Sequence, residues 1–343
     1  MSEDVRKLVR IVNVDDVRPA ENADALEIST VGAWEIVTRK GVFRKGDRAV
    51  FAEIDAAIPV DDERFGLPSH EAKDFGDGVN RLVIKTIRLR GNLSQGVLFP
   101  LTLFPELEGM SNDVDVSETL GITKYEPETP VSNDVVGEWN DRFAIRSDAE
   151  RVQNLAKFYD QIKAEPWIAT EKVDGDSMTV VNDGGTLRVY GRQAELKPET
   201  SHFNDVLDAD FLLEHLPQGW SIQGEVAGPK VQSNKLGLDE KRFFLFGVFN
   251  TGRPVPRDQW ENWMNELSVP VIEDFALPET ASELVAQVDG MKSIVKPDML
   301  AEGVVFHHKE GKVPYFLSRP SFKVISNAYL SNKPRRRRRK KKK

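Results

Sequence analysis

The sequence contains no cysteine, so disulfide bonds, thiolate metal sites and a cysteine nucleophile are excluded. It has no run of about eighteen apolar residues, which excludes a membrane-spanning helix. The first residues, MSEDVRKLVR, contain no apolar segment of the kind that a secretory signal needs. Together these absences predict a cytoplasmic protein without a membrane partner.

Charge is distributed unevenly along the chain. The 343 residues carry a formal net charge of -8, yet residues 335–343 are all Arg or Lys. Without these nine residues, 38 basic residues face 55 acidic ones, a net charge of -17. A folded part with this negative charge disfavours non-specific binding to nucleic acid, but it allows a local basic groove that binds nucleic acid. Residues 331–343 are predicted to form a disordered basic tail, which is either a tether to phosphate backbones or an incidental addition.

The residue pattern divides the chain into two folded parts. Short strand-like runs between Gly and Asp turns predict a small β-barrel over residues 1–118. Residues 119–147 are rich in Pro, Glu, Asp and Asn without periodicity, which predicts a linker. Strands and helices mix over residues 148–330, beginning with a helix over 148–163 that the apolar spacing predicts. The clearest strands are expected at residues 9–14, 34–37, 49–52, 81–87 and 243–249.

Several polar residues of the second part stand at the ends of apolar runs, as expected for a pocket lined by strand ends. They supply an amine, two carboxylates, two cations and an aromatic ring: Lys172, Glu225, Glu302, Arg192, Lys323 and Phe246. This set suits binding of a nucleoside triphosphate and attack on its α-phosphorus. A lysine nucleophile must lose its proton, so we expect desolvation or neighbouring cations to lower its pKa.

Each of these residues also has an ordinary structural explanation. Phe246 could be a core residue, Glu225 and Glu302 could be solvated turn residues, and Lys323 could belong to a surface ion pair. His307 and His308 could bind a metal. Their spacing lacks an HExxH-type pattern and favours a surface or strand-edge pair instead.

The order of short motifs carries a family resemblance. KVDG, YGR, GEVAGP, FFLFGVF, EGVV and SFKVIS resemble nucleotidyl motifs I, Ia, III, IIIa, IV and V of the covalent nucleotidyltransferases. That superfamily includes polynucleotide ligases and mRNA capping enzymes. GEVAGP and YGRQAELK resemble RNA ligases more closely than DNA ligases. The resemblance covers about residues 148–330.

The resemblance implies a role for each candidate residue, with ATP and Mg²⁺ or Mn²⁺ as cofactors. Lys172 would carry AMP, Glu171 would read the adenine edge, Phe246 would stack on the base, Glu225 would hold the ribose, Arg192 would contact the ribose or the RNA end, Glu302 would support the metal, and Lys323 would contact the α-phosphate. Several RNA ligases carry a second motif V lysine where this chain has Ile325. Either one lysine suffices, or Lys333 or another cation takes the second role.

The N-terminal part resembles the OB-fold tRNA-binding modules attached to some aminoacyl-tRNA synthetases, through residues 17–26 and 87–98. OB-folds bind nucleic acids on one face, and a basic segment there is a candidate phosphate track: Arg81, Lys85, Arg88 and Arg90. Alternatively, these charges only solvate a strand. An OB module that precedes the catalytic domain resembles the Deinococcus-type RNA ligase.

We therefore predict an α+β chain, with an N-terminal OB-fold β-barrel followed by a mixed α/β nucleotidyltransferase domain. The expected function is that of a monomeric ATP-dependent RNA ligase of RNA repair. It would seal 3′-OH and 5′-phosphate ends in nicked duplex RNA or an RNA/DNA hybrid. Two alternatives stay open. One is an RNA-capping guanylyltransferase that uses GTP, and the other is a non-catalytic RNA-binding OB protein.

Overall fold

The computed structural model describes residues 6–126, 134–146, 148–260 and 264–331. These residues divide into two compact units. The first contains residues 6–126 together with two later segments, Val152–Lys157 and Thr280–Ser282, and the second contains the rest. The predicted basic tail lies outside the described residues, apart from its first residue, Ser331.

The first unit is built from short antiparallel strands, as predicted from the Gly and Asp turn residues between strand-like runs. Its twelve strands are β1 Val9–Asn13, β2 Asp16–Pro19, β3 Leu26–Val31, β4 Trp34–Arg39, β5 Arg48–Ala52, β6 Ala56–Pro59, β7 Lys73–Asp74, β8 Asn80–Val83, β9 Ile87–Leu89, β10 Asn92–Ser94, β11 Val97–Pro100 and β12 Thr123–Lys124. They pair in the orders β1-β5-β11, β2-β3-β4, β10-β9 and β12-β6-β8-β7. Ile11, Val50 and Phe104, all fully buried, lie in its core.

Two segments differ from the sequence expectations. The segment 119–147, expected to be a linker, supplies strand β12 to the first unit and strand β13, Val135–Glu138, to the second. The segment 148–163 is not one helix. It contains a two-residue strand, 3-10 turns over Val152–Phe158 and a helix, α1, at Tyr159–Ala164. Since the four consecutive residues 152–155 are all buried, this stretch has no solvent face of the kind a surface helix needs.

Two sheets of the second unit supply the site. A seven-stranded antiparallel sheet has the order β13-β18-β17-β16-β19-β20-β21. Beyond β13, its strands are β16 Asp176–Asp183, β17 Thr186–Tyr190, β18 Ala194–Leu196, β19 Trp220–Ala227, β20 Arg242–Asn250 and β21 Arg253–Pro254. A four-stranded sheet has the order β14-β23-β22-β15, formed by β14 Glu150–Arg151, β15 Trp167–Lys172, β22 Gly303–His308 and β23 Ser321–Ile325.

Short helices lie between these strands or follow the last of them. They are α2 Phe203–Val206, α3 Ala209–His215, α4 Ala281–Val288 and α5 Asn327–Ser331. The apolar core of the seven-stranded sheet includes Val180, Ile222 and Leu245, which are fully buried. No helix in the described part of the chain is long and apolar enough to cross a membrane.

Candidate active site

A cavity of about 670 Å³ opens in the second unit, lined by residues of both sheets. Its size suits a ligand of nucleotide dimensions. Most of the candidate residues line it: Glu171, Lys172, Arg192, Glu225, Phe246 and Lys323. The last candidate, Glu302, reaches the same site by hydrogen bonding to Lys172. Residues that are distant in the sequence are therefore brought together.

Lys172 ends strand β15, and the strand register sets its neighbours. It lies opposite Gly303 of β22, so Glu302 stands beside it at the start of that strand. The Lys172 Nζ donates a hydrogen bond to Glu302 Oε2 at 2.7 Å. Gly175, which follows Lys172 in the KVDG motif, approaches β19 so closely that an added Cβ would lie 2.0 Å from the carbonyl oxygen of Val226. Only glycine fits there.

The pKa of Lys172 differs from the sequence expectation. Burial alone would lower this pKa, as predicted, but the negative charges of Glu302 and Glu225 outweigh burial and raise it above its ordinary value. In the absence of substrate, Lys172 is therefore held as an ammonium. The proton must leave before the amine can attack, because an ammonium is not a nucleophile.

Glu225 lies on β19, where it pairs with Ser177 of β16 and Phe244 of β20. Burial raises the pKa of its carboxyl group to about 7, while Lys172 acts in the opposite direction. The like charges of Glu302, Asp174 and Asp176 add to the rise. The carboxyl group is therefore placed to exchange a proton when a cation or a ligand enters the cavity.

Phe246 projects into the cavity because strand β20 contains a bulge. Gln223 pairs with Gly247 and Gly224 pairs with Leu245, so Phe246 is the extra residue without a partner in the ladder. A bulge of this kind redirects a side chain, and bulges are frequent beside active sites. The ring is partly exposed and lies nearly parallel to the His307 ring, with centroids 6.2 Å apart and planes 24° apart. An aromatic face of this kind can stack on a nucleobase.

Glu171 has a different environment from the one that the resemblance implies. Its carboxylate accepts hydrogen bonds from Ser293 Oγ at 2.5 Å and from the backbone N–H groups of Ile294 at 2.7 Å and Val295 at 3.2 Å. It is 2% exposed, because successive side chains of a strand point to opposite faces and Lys172 takes the cavity face. The carboxylate therefore holds the turn that begins at Ser293, and its reading of an adenine edge stays a prediction.

The cations of the site surround Asp148. Its carboxylate pairs with the guanidinium of Arg192 and lies 3.7 Å from Lys323 Nζ. Burial would raise the pKa of Asp148, but these two cations lower it to about 2. Burial lowers the pKa of Lys323 to about 8, although Asp148 opposes this shift. A fourth residue, Arg319, lines the cavity and donates to the carbonyl oxygen of Arg146.

The second motif V position is occupied by Ile325, which is 3% exposed and packs in the core. Lys333, one of the suggested replacements, lies outside the described residues. Among the cations that line the cavity, Arg192 and Arg319 lie with Lys323 around Asp148. Either could supply the second positive charge that the resemblance calls for.

The carboxylates fit a metal ion that arrives with phosphate groups. Within the described residues, no three His, Asp or Glu side chains are grouped as a complete metal-ligand set. Mg²⁺ and its substitutes often need only one or two carboxylates when phosphate oxygens and water complete the shell. The mutual repulsion of Glu225 and Glu302, visible in the raised pKa of Glu225, would be relieved by such a cation.

The candidate phosphate track in the first unit is only partly accessible. Lys85, Arg88 and Arg90 are exposed, and Arg88 donates to the carbonyl oxygen of Gly91 in the turn between β9 and β10. Arg81 is 8% exposed and its guanidinium bonds to Asp77 at 2.8 Å. Arg81 is therefore shielded and held by Asp77 in this structure, and its role as a phosphate contact stays a prediction.

Sequence reasoning missed three residues of the cavity, Asp148, Arg319 and His307. Asp148 was predicted only as the first residue of a helix, and no motif marks Arg319. His307 was expected at a surface or strand edge, but β22 is central in its sheet and His307 lines the cavity. Successive side chains of a strand point to opposite faces, so a strand predicted here would have placed His307 on the same face as Val305.

Comparisons with known proteins agree with this two-part organisation. The profile of an OB-fold domain matches residues 8–101, and that of the RNA ligase family matches residues 165–325. No curated protein sequence matches the chain. The predicted order of an OB-fold before a ligase domain, and the predicted fold class, are confirmed.

Solved structures of an RNA ligase from Naegleria gruberi are similar over nearly the whole chain. One that contains PPi is 33% identical, with a TM-score of 0.77, and the match covers 95% of this chain and 98% of that chain. A lysine-to-alanine variant with ATP and manganese has a TM-score of 0.79 at 33% identity, covering 95% and 99%. A lysine-to-methionine variant with AMP and manganese also has a TM-score of 0.79 at 33% identity, covering 96% and 99%.

Proposed function

This chain belongs to the RNA ligase family, and we propose that it seals nicks by way of an AMP bound covalently to Lys172. ATP would supply the AMP. The proposal rests on one arrangement: a lysine, two carboxylates, three cations and a bulged aromatic ring line or adjoin one cavity. The presence of ATP, AMP and manganese in structures of the Naegleria ligase supports the same choice of nucleotide and metal.

In the first step, Lys172 Nζ attacks the α-phosphorus of ATP. A bond forms between Nζ and phosphorus, the bond to the β-phosphate oxygen breaks, and pyrophosphate leaves. Glu302, 2.7 Å from Nζ, is within hydrogen-bond reach to take the amine proton. Lys323 and Arg192 neutralise phosphate charge, and Phe246 stacks on the base. A divalent ion, held by Glu302 and Glu225 together with the phosphates, would supply further positive charge when bound.

Two further displacements complete sealing. An oxygen of the RNA 5′-phosphate attacks the AMP phosphorus and breaks its bond to Lys172. The 3′-hydroxyl then attacks the activated 5′-phosphate, forms the phosphodiester and expels AMP. Each transfer needs an in-line approach, which explains why a single cavity holds both the nucleophile and the cations.

The first step can be tested with α-labelled ATP and manganese. We expect label on the wild-type protein with ATP and not with GTP, and none on Lys172→Ala. The matched control is Lys163→Ala, since Lys163 lies in a surface pair with Glu279 at 2.8 Å. The bond should be labile in acid and stable in alkali, as expected of a phosphoramidate. Persistent label on Lys172→Ala would contradict the proposal.

The two alternatives make different predictions for the same experiment. A guanylyltransferase would be labelled by GTP instead of ATP. A non-catalytic RNA-binding protein would be labelled by neither nucleotide, although it would still bind RNA.

For the RNA substrate, we propose a nick whose 3′-OH strand ends in ribonucleotides. A protein distinguishes RNA from DNA through the 2′-hydroxyl or A-form groove shape, and the attacking 3′ end must lie in line with the phosphate. Nicked duplexes that differ only in the last two sugars on each side provide the test. We expect deoxyribose on the 3′-OH side to slow sealing at least about tenfold, and deoxyribose on the 5′-phosphate side to have little effect. Equal rates on an all-DNA nick would contradict this specificity.

A further inference from the structure

Asp176 is an accessible carboxylate of the candidate nucleotide cavity, and no step of the proposed function uses it. It begins strand β16 and lines the cavity, and its side chain is 46% exposed. The side chains of Lys172 and Lys323, which line the same cavity, are 22% and 18% exposed. The cavity therefore has a more buried part, which a free nucleotide can enter, and an accessible part that includes Asp176. An RNA end is attached to a duplex, so its sugar is expected to contact the accessible part.

Two neighbouring side chains hold the Asp176 carboxylate. Gln232 Nε2 donates to its Oδ1 at 3.1 Å and also to the carbonyl oxygen of Gly175. On the other side, His202 Nε2 lies 3.3 Å from Asp176 Oδ2, and Lys241 Nζ lies 3.2 Å from His202 Nδ1. An ammonium can only donate, so Nδ1 accepts from Lys241 and the neutral ring donates its Nε2 proton to Asp176. Both oxygens of the carboxylate are therefore oriented before a ligand binds.

The partners of Asp176 determine which ligand groups it suits. Within the described part of the chain they are an amide and an imidazole, and no Lys or Arg pairs with it. A carboxylate offers about four acceptor sites, of which these two bonds use two. An accessible anion without a cation repels phosphate groups, but it binds neutral donors such as hydroxyl groups through strong charge-assisted hydrogen bonds.

The 3′ end of an RNA strand presents two such donors side by side. Its last ribose has a free 2′-hydroxyl next to the 3′-hydroxyl, whereas a DNA end has only the 3′-hydroxyl. The two oxygens of one carboxylate can accept from both hydroxyls, and acidic residues bind ribose hydroxyls in this way in dinucleotide sites. A carboxylate at the end of the strand would therefore favour ribose over deoxyribose.

We propose that Asp176 binds the adjacent 2′- and 3′-hydroxyls of the RNA strand that ends at the nick, with His202 and Gln232 as residues that position its carboxylate. This inference rests on the proposed function, which brings that end to the cavity, and it names the group that distinguishes ribose from deoxyribose there. The ribose of ATP carries the same pair of hydroxyls, so a test must separate the two sources.

Single-turnover sealing of nicks that already carry AMP on the 5′-phosphate isolates the strand end from the lysine step. The 3′-OH strands end in ribose, 2′-deoxyribose or 2′-fluoro-2′-deoxyribose. The fluorinated sugar favours the A-form conformation but cannot donate, so it separates groove shape from hydrogen bonding. The proteins are wild type, Asp176→Ala, Asp176→Asn and the control Glu199→Gln. Glu199 is an exposed carboxylate outside the described cavity lining.

We expect wild type and Glu199→Gln to seal the ribose end about tenfold faster than either of the other ends. In Asp176→Ala this preference should disappear, and Asp176→Asn, which keeps one acceptor oxygen, should retain part of it. A fluorinated end sealed as fast as ribose would assign the discrimination to groove shape and contradict the inference. A preference that persists in Asp176→Ala, even if every end is sealed more slowly, would indicate a merely structural role and contradict it too.

Labelling with α-labelled ATP or 2′-deoxy-ATP distinguishes the ribose of ATP from that of the strand end. We expect the ratio of the two labelling rates to be the same in wild type and Asp176→Ala. If Asp176→Ala changes this ratio and leaves the preference among nicks unchanged, the carboxylate binds the ribose of ATP and the inference is wrong.

Equilibrium binding of the same three nicks without AMP distinguishes failure of the inference from failure of the proposed function. Sealing whose preference does not depend on Asp176 would leave the ligase function intact and exclude ribose binding by this residue. A ribose preference in binding that Asp176→Ala removes, without any sealing, would support ribose binding and contradict the ligase function. If Asp176→Ala fails to fold, as judged by its thermal unfolding, Asp176→Asn, with nearly the same volume, replaces it in each comparison.

Discussion

At the residue scale, Asp148 is the anion that faces the cations of the cavity, and we propose that a phosphate group of the substrate takes its place. It pairs with Arg192 and lies near Lys323, so these cations have an internal anion before any substrate arrives. An entering α-phosphate would exchange this carboxylate for a phosphate oxygen, which limits the net electrostatic gain of binding. The exchange would keep Lys323 and Arg192 oriented, and it would avoid leaving the mostly buried Lys323 without an anion, since the Lys323 side chain is 18% exposed while that of Arg192 is 60% exposed.

The pKa of Lys323 predicts how ATP affinity depends on pH. Because burial lowers this pKa to about 8, the free protein loses the positive charge as pH rises through about 8, and ATP affinity should fall there. Lys323→Arg keeps its charge and should hold its affinity to higher pH. Dissociation constants measured from about pH 7 to about pH 9 check this. Because the pKa of Glu225, about 7, lies at the edge of this range, the dissociation constants of wild type and Lys323→Arg are compared with each other at each pH. Identical pH profiles would contradict the assignment of Lys323.

At the scale of the elements, two strand features define the site. The bulge in β20 turns Phe246 toward the cavity, and the pairing of β15 with β22 sets Lys172 beside Glu302. The end of β15 is held from its other face, where Glu171 accepts three hydrogen bonds from residues 293–295. One strand therefore presents Lys172 on its cavity face and anchors a turn on the other face.

The anchoring role of Glu171 can be separated from a base-reading role. Glu171→Ala leaves Ser293 Oγ and two backbone N–H groups without their acceptor, so we expect a loss of at least about 2 kcal/mol in the free energy of unfolding. Ser293→Ala should cost about 1 kcal/mol. Urea denaturation measures the free energy of unfolding of both variants and of wild type. If Glu171→Ala unfolds at the same urea concentration as wild type and yet loses ATP affinity, the carboxylate reads the base instead of holding the turn.

At the scale of the whole molecule, the first unit carries the exposed basic segment and the second carries the nucleotide cavity. We predict that Arg88→Ala combined with Arg90→Ala weakens nicked-duplex binding and leaves label formation with ATP unchanged. If both residues contact phosphates, the slope of log affinity against log salt should decrease by about 2. The control is Arg64→Ala, since Arg64 lies in a surface pair with Asp62. An unchanged slope would exclude the segment as a phosphate track.

Most of the fold and much of the candidate site could be predicted because the signals are local. The strands at residues 9–13, 48–52 and 242–250 follow from apolar runs between turn residues, and KVDG contains both Lys172 and the glycine that close packing requires. The misses depend on long-range structure. The burial of Arg81, the orientation of Glu171 and the place of His307 are decided by partners that are remote in the sequence or on another strand.

The first unit is not one continuous piece of chain, since it takes in Val152–Lys157 and Thr280–Ser282. Val152 and Leu155 are fully buried, and the Trp34 indole donates to Asn154 at 3.2 Å. During synthesis, therefore, the last N-terminal strand leaves the ribosome roughly 30 residues before Val152–Lys157 and roughly 150 residues before Thr280–Ser282. At about 5–20 residues per second, these intervals are about 2–6 seconds and about 8–30 seconds. Until Val152 and Leu155 have been translated, the nascent first unit lacks two of the apolar residues that are fully buried in the finished protein.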